Sequence, residues 1–233
     1  MKKFVWNEDR PPLVSILGDS ISTLDGYNPP DFAVHYAGSV KFETDVFNPL
    51  DTWWGQVIDA LGGELLVNNS YSGSRMSRDP GNILYNHGCN ETRTGALGKD
   101  GKTPDLVMIF MGVNDLGSHS MHLLPEPRGE VGTIEIFAVA YETALKAIRK
   151  NYPEAQILCI TPGRAYLKDY GPNLPAPDVR RGAMCGIIKS LAAQYGCFFF
   201  DLSDYAPYES LDELHPNANG MKTIAEGVLS VLL

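Results

Sequence analysis

A chain of 233 residues, 44% hydrophobic and 20% charged, has the composition of a soluble globular protein of one or two small domains. Its net charge of −9, with Arg180-Arg181 as the clearest basic cluster, argues against a nucleic-acid partner, whose phosphates need clustered Lys and Arg. No run approaches the roughly 20 apolar residues of a membrane span, and MKKFVWNEDRPP puts acids and prolines where a signal peptide needs an apolar core. A cytoplasmic location without a membrane partner is the expectation.

The predicted elements alternate between strand and helix. Leu13–Leu17 is a branched apolar run that stops at Gly18, as strands buried on both faces do, and Asp19-Ser20 follows at once. Ile21–Leu50 shows no sustained period; its aromatics Tyr27, Phe32, Tyr36, Phe42 and Phe47 suit either a functional insertion or a satellite core. Asp51 is placed to cap a helix whose face is Trp54, Val57, Ile58 and Leu61, ended by Gly62-Gly63. Leu65–Val67 is the second strand, followed by Asn68-Asn69-Ser70-Tyr71-Ser72-Gly73, and Ser74–Pro104 reads as loop. Leu106–Met111 is the third strand and leads into Gly112-Val113-Asn114-Asp115.

A helix near Ile134–Asn151 carries the stripe Ile134, Phe137, Ala138, Tyr141, Leu145 and Ile148. Gln156–Ile160 is the fourth strand. A helix that Asp178 could cap turns Met184, Ile187, Ile188, Leu191, Ala192 and Tyr195 inward, and Cys197–Phe200 is the fifth strand. The last helix buries Met221, Ile224, Ala225, Val228, Leu229 and Leu232. This alternation predicts one domain, a parallel α/β sandwich with too few units for an eight-fold barrel.

The polar motifs all fall where strands end, which gathers them on one rim of the sheet. A seryl hydroxyl needs a neighbouring base to become a nucleophile, and His215 is the candidate for Ser20. Pro216 keeps His215 out of a helix, and Asp212, three residues earlier, can accept from one imidazole nitrogen. Gly73, Asn114 and the backbone N–H of Ser20 are the candidate donors to a developing oxyanion. Asp19 and Asp115 are read as turn braces rather than chemistry.

Gly18-Asp19-Ser20, Asn68-x-x-x-Ser72-Gly73, Gly112-x-Asn114-Asp115 and Asp212-x-x-His215-Pro216 together resemble the four sequence blocks of the SGNH, or GDSL-type, hydrolases, in the family's order. The resemblance implies a flavodoxin-like sheet of order 2-1-3-4-5 and ester hydrolysis without metal or other cofactor. It assigns Ser20 as nucleophile, His215 as base, Asp212 as orienting acid, and Ser20, Gly73 and Asn114 as the oxyanion hole. Ile21 stands where the family often has leucine, and Ile21–Leu50 maps onto no block.

Other readings are weaker. There is no Gly-x-Ser-x-Gly elbow, HExxH or phosphate loop, and Cys89, Cys159, Cys185 and Cys197 show no ligand spacing. His119 and His122 have no third ligand beside them; His35 and His87 fall in loops and read as structural or rim residues. A binding module that has lost turnover is disfavoured because nucleophile, base, acid and donors are all present. The rim carries Tyr27, Phe32, Tyr36, Tyr71, Tyr85, Tyr166 and Tyr170, which suit a sugar face or a small acyl group unless they pack within the loops. Tyr27, Tyr36, Tyr71 and Arg164 are the substrate contacts expected, with a short-acyl ester, acetyl foremost, of a small molecule or oligosaccharide as the partner.

Overall fold

The computed structural model describes residues 3–79, 86–116, 135–163 and 176–233. Five strands, β1 Leu13–Gly18, β2 Glu64–Ser70, β3 Leu106–Phe110, β4 Gln156–Ile160 and β5 Phe198–Phe200, pair in parallel in the order β2-β1-β3-β4-β5. The α/β class and strand order are those expected. Among the described residues seven α-helices accompany them: α1 Val40–Thr44, α2 Trp53–Ala60, α3 Glu91–Gly95, α4 Val113–Leu116, α5 Phe137–Asn151, α6 Pro177–Gln194 and α7 Ala218–Leu232. None of the described helices is long and apolar enough to cross a membrane.

Two cores, one on each sheet face, explain the apolar runs. Along β3, Leu106, Met108 and Phe110 pack with α2 and α7, while Val107 and Ile109 pack with α5 and α6. Alternate side chains of a strand point to opposite faces, so a strand covered by helices on both sides must be apolar throughout. All five β3 residues are buried, and each such side chain contributes about 1.5–3 kcal/mol. On α7, Met221, Ile224, Ala225, Val228 and Leu232 form the buried stripe. On α5, Ala140 and Ala144 join Phe137, Tyr141, Leu145 and Ile148, whereas Ala138 is only half-buried; Ile134 lies outside the described residues.

Two capping expectations are corrected. Thr52, not Asp51, caps α2, its hydroxyl accepting from the Gly55 N–H at 3.0 Å. Asp51 belongs to the preceding 3-10 turn, where it forms a capping box with Asn48. Likewise Asp178 lies inside α6, which starts at Pro177 with no side-chain cap. Proline has no N–H to satisfy at a first helical position, so it starts the helix itself. β2 also runs three residues beyond Val67, because Asn68, Asn69 and Ser70 keep pairing with β1 up to Gly18.

Candidate active site

The ends of β1, β2 and β3 are level, Gly18 lying beside both Ser70 and Phe110. Segments that leave these ends therefore start from one line. The first is the turn at Ser20, which opens a 3-10 helix, Ser20–Ser22, capped by the Asp19 carboxylate accepting from the Ile21 N–H at 3.1 Å. A side chain on Gly18 would lie 2.6 Å from Ser70 Oγ and 2.7 Å from Ser22 Cβ. Only glycine lets the chain fold back so tightly there, and that turn puts the Ser20 hydroxyl on the rim.

His215 comes to Ser20 from the far end of the chain. Its loop is closed at the neck by a bridge between Ser210 and Pro216, and Asn217 then caps α7 by accepting from the Gly220 N–H. Within the loop Asp212 performs two tasks. One carboxylate oxygen accepts from the Leu214 and His215 N–H groups, at 3.1 and 2.6 Å, which fixes the turn. The other accepts from His215 Nδ1 at 2.6 Å. Burial works to raise the Asp212 pKa, but these hydrogen bonds outweigh it and hold the carboxyl below its ordinary range. With the Nδ1 proton engaged by Asp212, Nε2 is left to accept from Ser20 Oγ, 2.9 Å away.

Two phenols grip the backbone on either side of that imidazole. Tyr208 donates to the Leu214 carbonyl at 3.1 Å and Tyr36 to the Pro216 carbonyl at 2.8 Å. Burial raises both phenol pKa values, so both stay protonated donors. Tyr36 is fully buried, which corrects its expected role: it cannot touch a substrate and instead anchors the histidine loop.

Gly73 and Asn114 border the same rim. Gly73 has φ +78°, a left-handed conformation that suits glycine, and the space where a Cβ would point is open. Asn114, on α4, donates one amide hydrogen to the Ser74 carbonyl at 2.9 Å, leaving its second for a ligand. Among the described residues no protein acceptor meets the N–H of Ser20 or Gly73. Asp115 braces the loop beyond, accepting from the Met76 and Ser77 N–H groups at 2.8 and 3.0 Å and from the Ser77 hydroxyl.

Beneath these groups lies Arg93, a residue that the loop-like stretch around it gave no reason to single out. Its guanidinium is buried and uses all five N–H bonds: one to Asn69 Oδ1, two to Ser74 Oγ and the Asn86 carbonyl, and two to the Gly18 and Asn69 carbonyls. It thereby ties the end of β1 to the end of β2 and to the residue after Gly73. Burial lowers its pKa only to about 10, so it remains a cation at neutral pH. Burial lifts the nearby Asp19 carboxyl to about 7. A sequence signal existed in Asn90, which caps α3 and so helps fix Arg93 on a helix of five residues.

The remaining expected contacts fare differently. Tyr71, half-buried, packs on Phe32 with ring centroids 4.9 Å apart, next to the Gly73 loop. Tyr27 packs against Trp54 and lines a cavity along the edge strand β2 that includes none of Ser20, Asp212 and His215. Arg164, Tyr85, Tyr166, Tyr170, His119 and His122 lie outside the described residues. His87 is buried. His35 lies flat against His215, a placement no spacing in the sequence announces.

Residues 12–169 match the model of the GDSL-like lipase/acylhydrolase family, a stretch that takes in Ser20, Gly73 and Asn114 and stops short of Asp212 and His215. Among solved structures, the chain is similar to a GDSL-like lipase from Bacteroides ovatus, at 25% identity and TM-score 0.72, covering 95% of this chain and 97% of that one. It is similar to another from Bacteroides uniformis, at 27% identity and TM-score 0.72, covering 94% of each. It shares the fold of a carbohydrate acetylesterase from Sinorhizobium meliloti, at 19% identity and TM-score 0.66, covering 94% of this chain and 97% of that one. No curated protein matches. With the family match over most of its length and the parallel sheet of its neighbours, the chain belongs to the GDSL-like lipase and acylhydrolase family and is a carboxylic-ester hydrolase.

Proposed function

We propose that the protein removes a short acyl group, acetyl above all, from a carbohydrate ester through an acyl-enzyme on Ser20. The observation that carries the mechanism is the unbroken hydrogen-bond chain from Ser20 Oγ through His215 to Asp212. Ser20 Oγ attacks the ester carbonyl carbon while His215 Nε2 takes the hydroxyl proton. The Ser20 and Gly73 N–H groups and the free amide hydrogen of Asn114 receive the oxyanion. The carbon–oxygen bond to the alcohol then breaks, and the imidazolium returns its proton to that leaving oxygen. Water attacks the acyl-enzyme with His215 again as base, releasing the carboxylic acid and restoring Ser20. Asp212 stays ionised throughout, which its lowered pKa favours.

Two observations support the substrate. Phe32 and Tyr71 form an aromatic pair beside the Gly73 loop, and an aromatic ring offers a flat apolar face to the C–H side of a sugar. The carbohydrate acetylesterase whose fold the chain shares points to the same acyl group. A fatty chain would need an aliphatic groove, where each buried CH₂ contributes about 0.8 kcal/mol. The test is hydrolysis of p-nitrophenyl acetate, butyrate, octanoate and palmitate, with an acetylated oligosaccharide alongside. The expected result is that kcat/KM does not rise beyond about four carbons, given the lack of per-methylene gain. An optimum at octanoate or longer would move the protein toward lysophospholipase or thioesterase chemistry.

A further inference from the structure

The segment between β1 and α2 is far longer than neighbouring strands and helices require, and residues 33–36 show where it goes. The Ala33 carbonyl accepts from the Ser72 N–H at 2.8 Å, beside Gly73. The His35 N–H donates to Thr23 Oγ1 at 2.9 Å, and that hydroxyl donates to the Ser20 carbonyl at 2.8 Å. Tyr36 donates to the Pro216 carbonyl. One tetrapeptide thus touches the serine turn, the glycine loop and the histidine loop.

Between these anchors the His35 ring lies on the face of the His215 ring, with centroids 3.6 Å apart and planes 14° from parallel. Tyr36 meets His35 edge-on, with ring centroids 4.9 Å apart and planes at 86°. We propose that His35 is a positioning residue: its ring is a platform that holds the His215 imidazole in line with Ser20 and Asp212 and supports the imidazolium formed during turnover. The proposal rests on the reading of Ser20, His215 and Asp212 as the catalytic chain.

Two hydrogen bonds hold His215 at its nitrogens, but a ring held at two points still tilts. A flat group against its face removes that freedom. When His215 takes the serine proton, the π-face of an uncharged ring attracts the new cation. His35 is suited to this because burial, then the neighbouring His215, lower its pKa to about 4, while Asp212 pulls the other way. The titratable groups facing it are His215 and Asp212 on the loop before α7 and Tyr36 beside it. Near neutral pH it therefore presents a ring face and not a second positive charge.

The test compares the wild type, His35→Ala and His35→Phe in steady-state hydrolysis of p-nitrophenyl acetate. Loss of the ring is expected to lower kcat about tenfold, the size of one cation–π contact, with KM within about twofold because the substrate is untouched. Phenylalanine keeps a flat uncharged ring and is expected to hold kcat within about threefold of wild type. Wild-type kcat in His35→Ala would overturn the proposal, and so would a His35→Phe variant as slow as His35→Ala. Should His35→Ala fail to fold, the wild type itself decides. Its His215 Hε1 NMR signal, assigned by its loss in His215→Asn, is expected upfield of an ordinary imidazole through the ring current of His35; an unshifted signal contradicts the platform. Ser20→Ala separates the two readings. Turnover that survives in Ser20→Ala removes both, whereas a dead Ser20→Ala beside an unimpaired His35→Ala removes only the platform.

Discussion

At the scale of single residues, Arg93 decides whether the donors near Gly73 stand still. Its five hydrogen bonds reach Gly18 on β1, Asn69 on β2, and Ser74 and Asn86 in the loops beyond, and a planar fork is the only side chain that serves them all at once. Arg93→Lys keeps the charge and abandons most of those acceptors in a buried place. The expected loss is about 3 kcal/mol of stability, measured by urea unfolding, together with a fall in kcat for p-nitrophenyl acetate. Unchanged stability would mean that the fork is dispensable. Asp19 bears on stability in a pH-dependent way. Burial raises its folded pKa from 3.8 to about 7, so between those values the folded state binds more protons than the unfolded one. Stability from this group is therefore full below about pH 4 and lost as pH rises through about 7. Unfolding free energies measured at pH 5 and pH 8 should show the wild type losing ground to Asp19→Asn at the higher pH. A gap that does not change with pH would place the Asp19 pKa in its ordinary range.

At the scale of elements, the strands were the most legible part of the sequence, because burial on both faces leaves an apolar run that needs no neighbour to be recognised. β4 coincides with Gln156–Ile160 in sequence and structure alike. The polar end of β2 was hidden: Asn68 and Ser70 are buried through hydrogen bonds to Ser22, to each other and to Asn28, and such partners are visible only once the chain is folded. Caps misread by one residue have the same origin, since Asp51 and Thr52 are both good caps and the 3-10 turn before α2 claims the first. The 21–50 segment has no period to read because it is held by single contacts to distant loops. Tyr36→Phe tests that view of the segment. It leaves the buried Pro216 carbonyl without its donor, so about 1–3 kcal/mol of stability and a few-fold in kcat should be lost, as read by urea midpoint and steady-state kinetics. A variant equal to wild type in both would show that the phenol does not hold the histidine loop.

At the scale of the molecule, a parallel sheet does the gathering. Because β1, β2 and β3 end level, three loops that are far apart in sequence begin side by side, and the fourth, carrying Asp212 and His215, arrives at the start of α7. The residue types of that rim were legible in the sequence, since a serine, a histidine three residues after an aspartate, a glycine and an asparagine each suit one task in acyl transfer. What supports them was far less legible: Arg93, Tyr36 and His35 act through contacts to residues distant in the sequence, and Tyr208 reaches Leu214 only because the histidine loop folds back on itself. Tyr36 looked like a rim aromatic only because a sequence does not say which aromatics a loop folds inward. The central claim, that His215 activates Ser20 to attack an ester, is tested most directly by covalent labelling with a fluorophosphonate ester followed by peptide mass spectrometry. The expected result is a single phosphonate adduct on Ser20 in the wild type, blocking esterase activity, with labelling slowed by about 10³-fold or more in His215→Ala. An adduct on another residue with activity lost, or full esterase activity with Ser20 labelled, would contradict it.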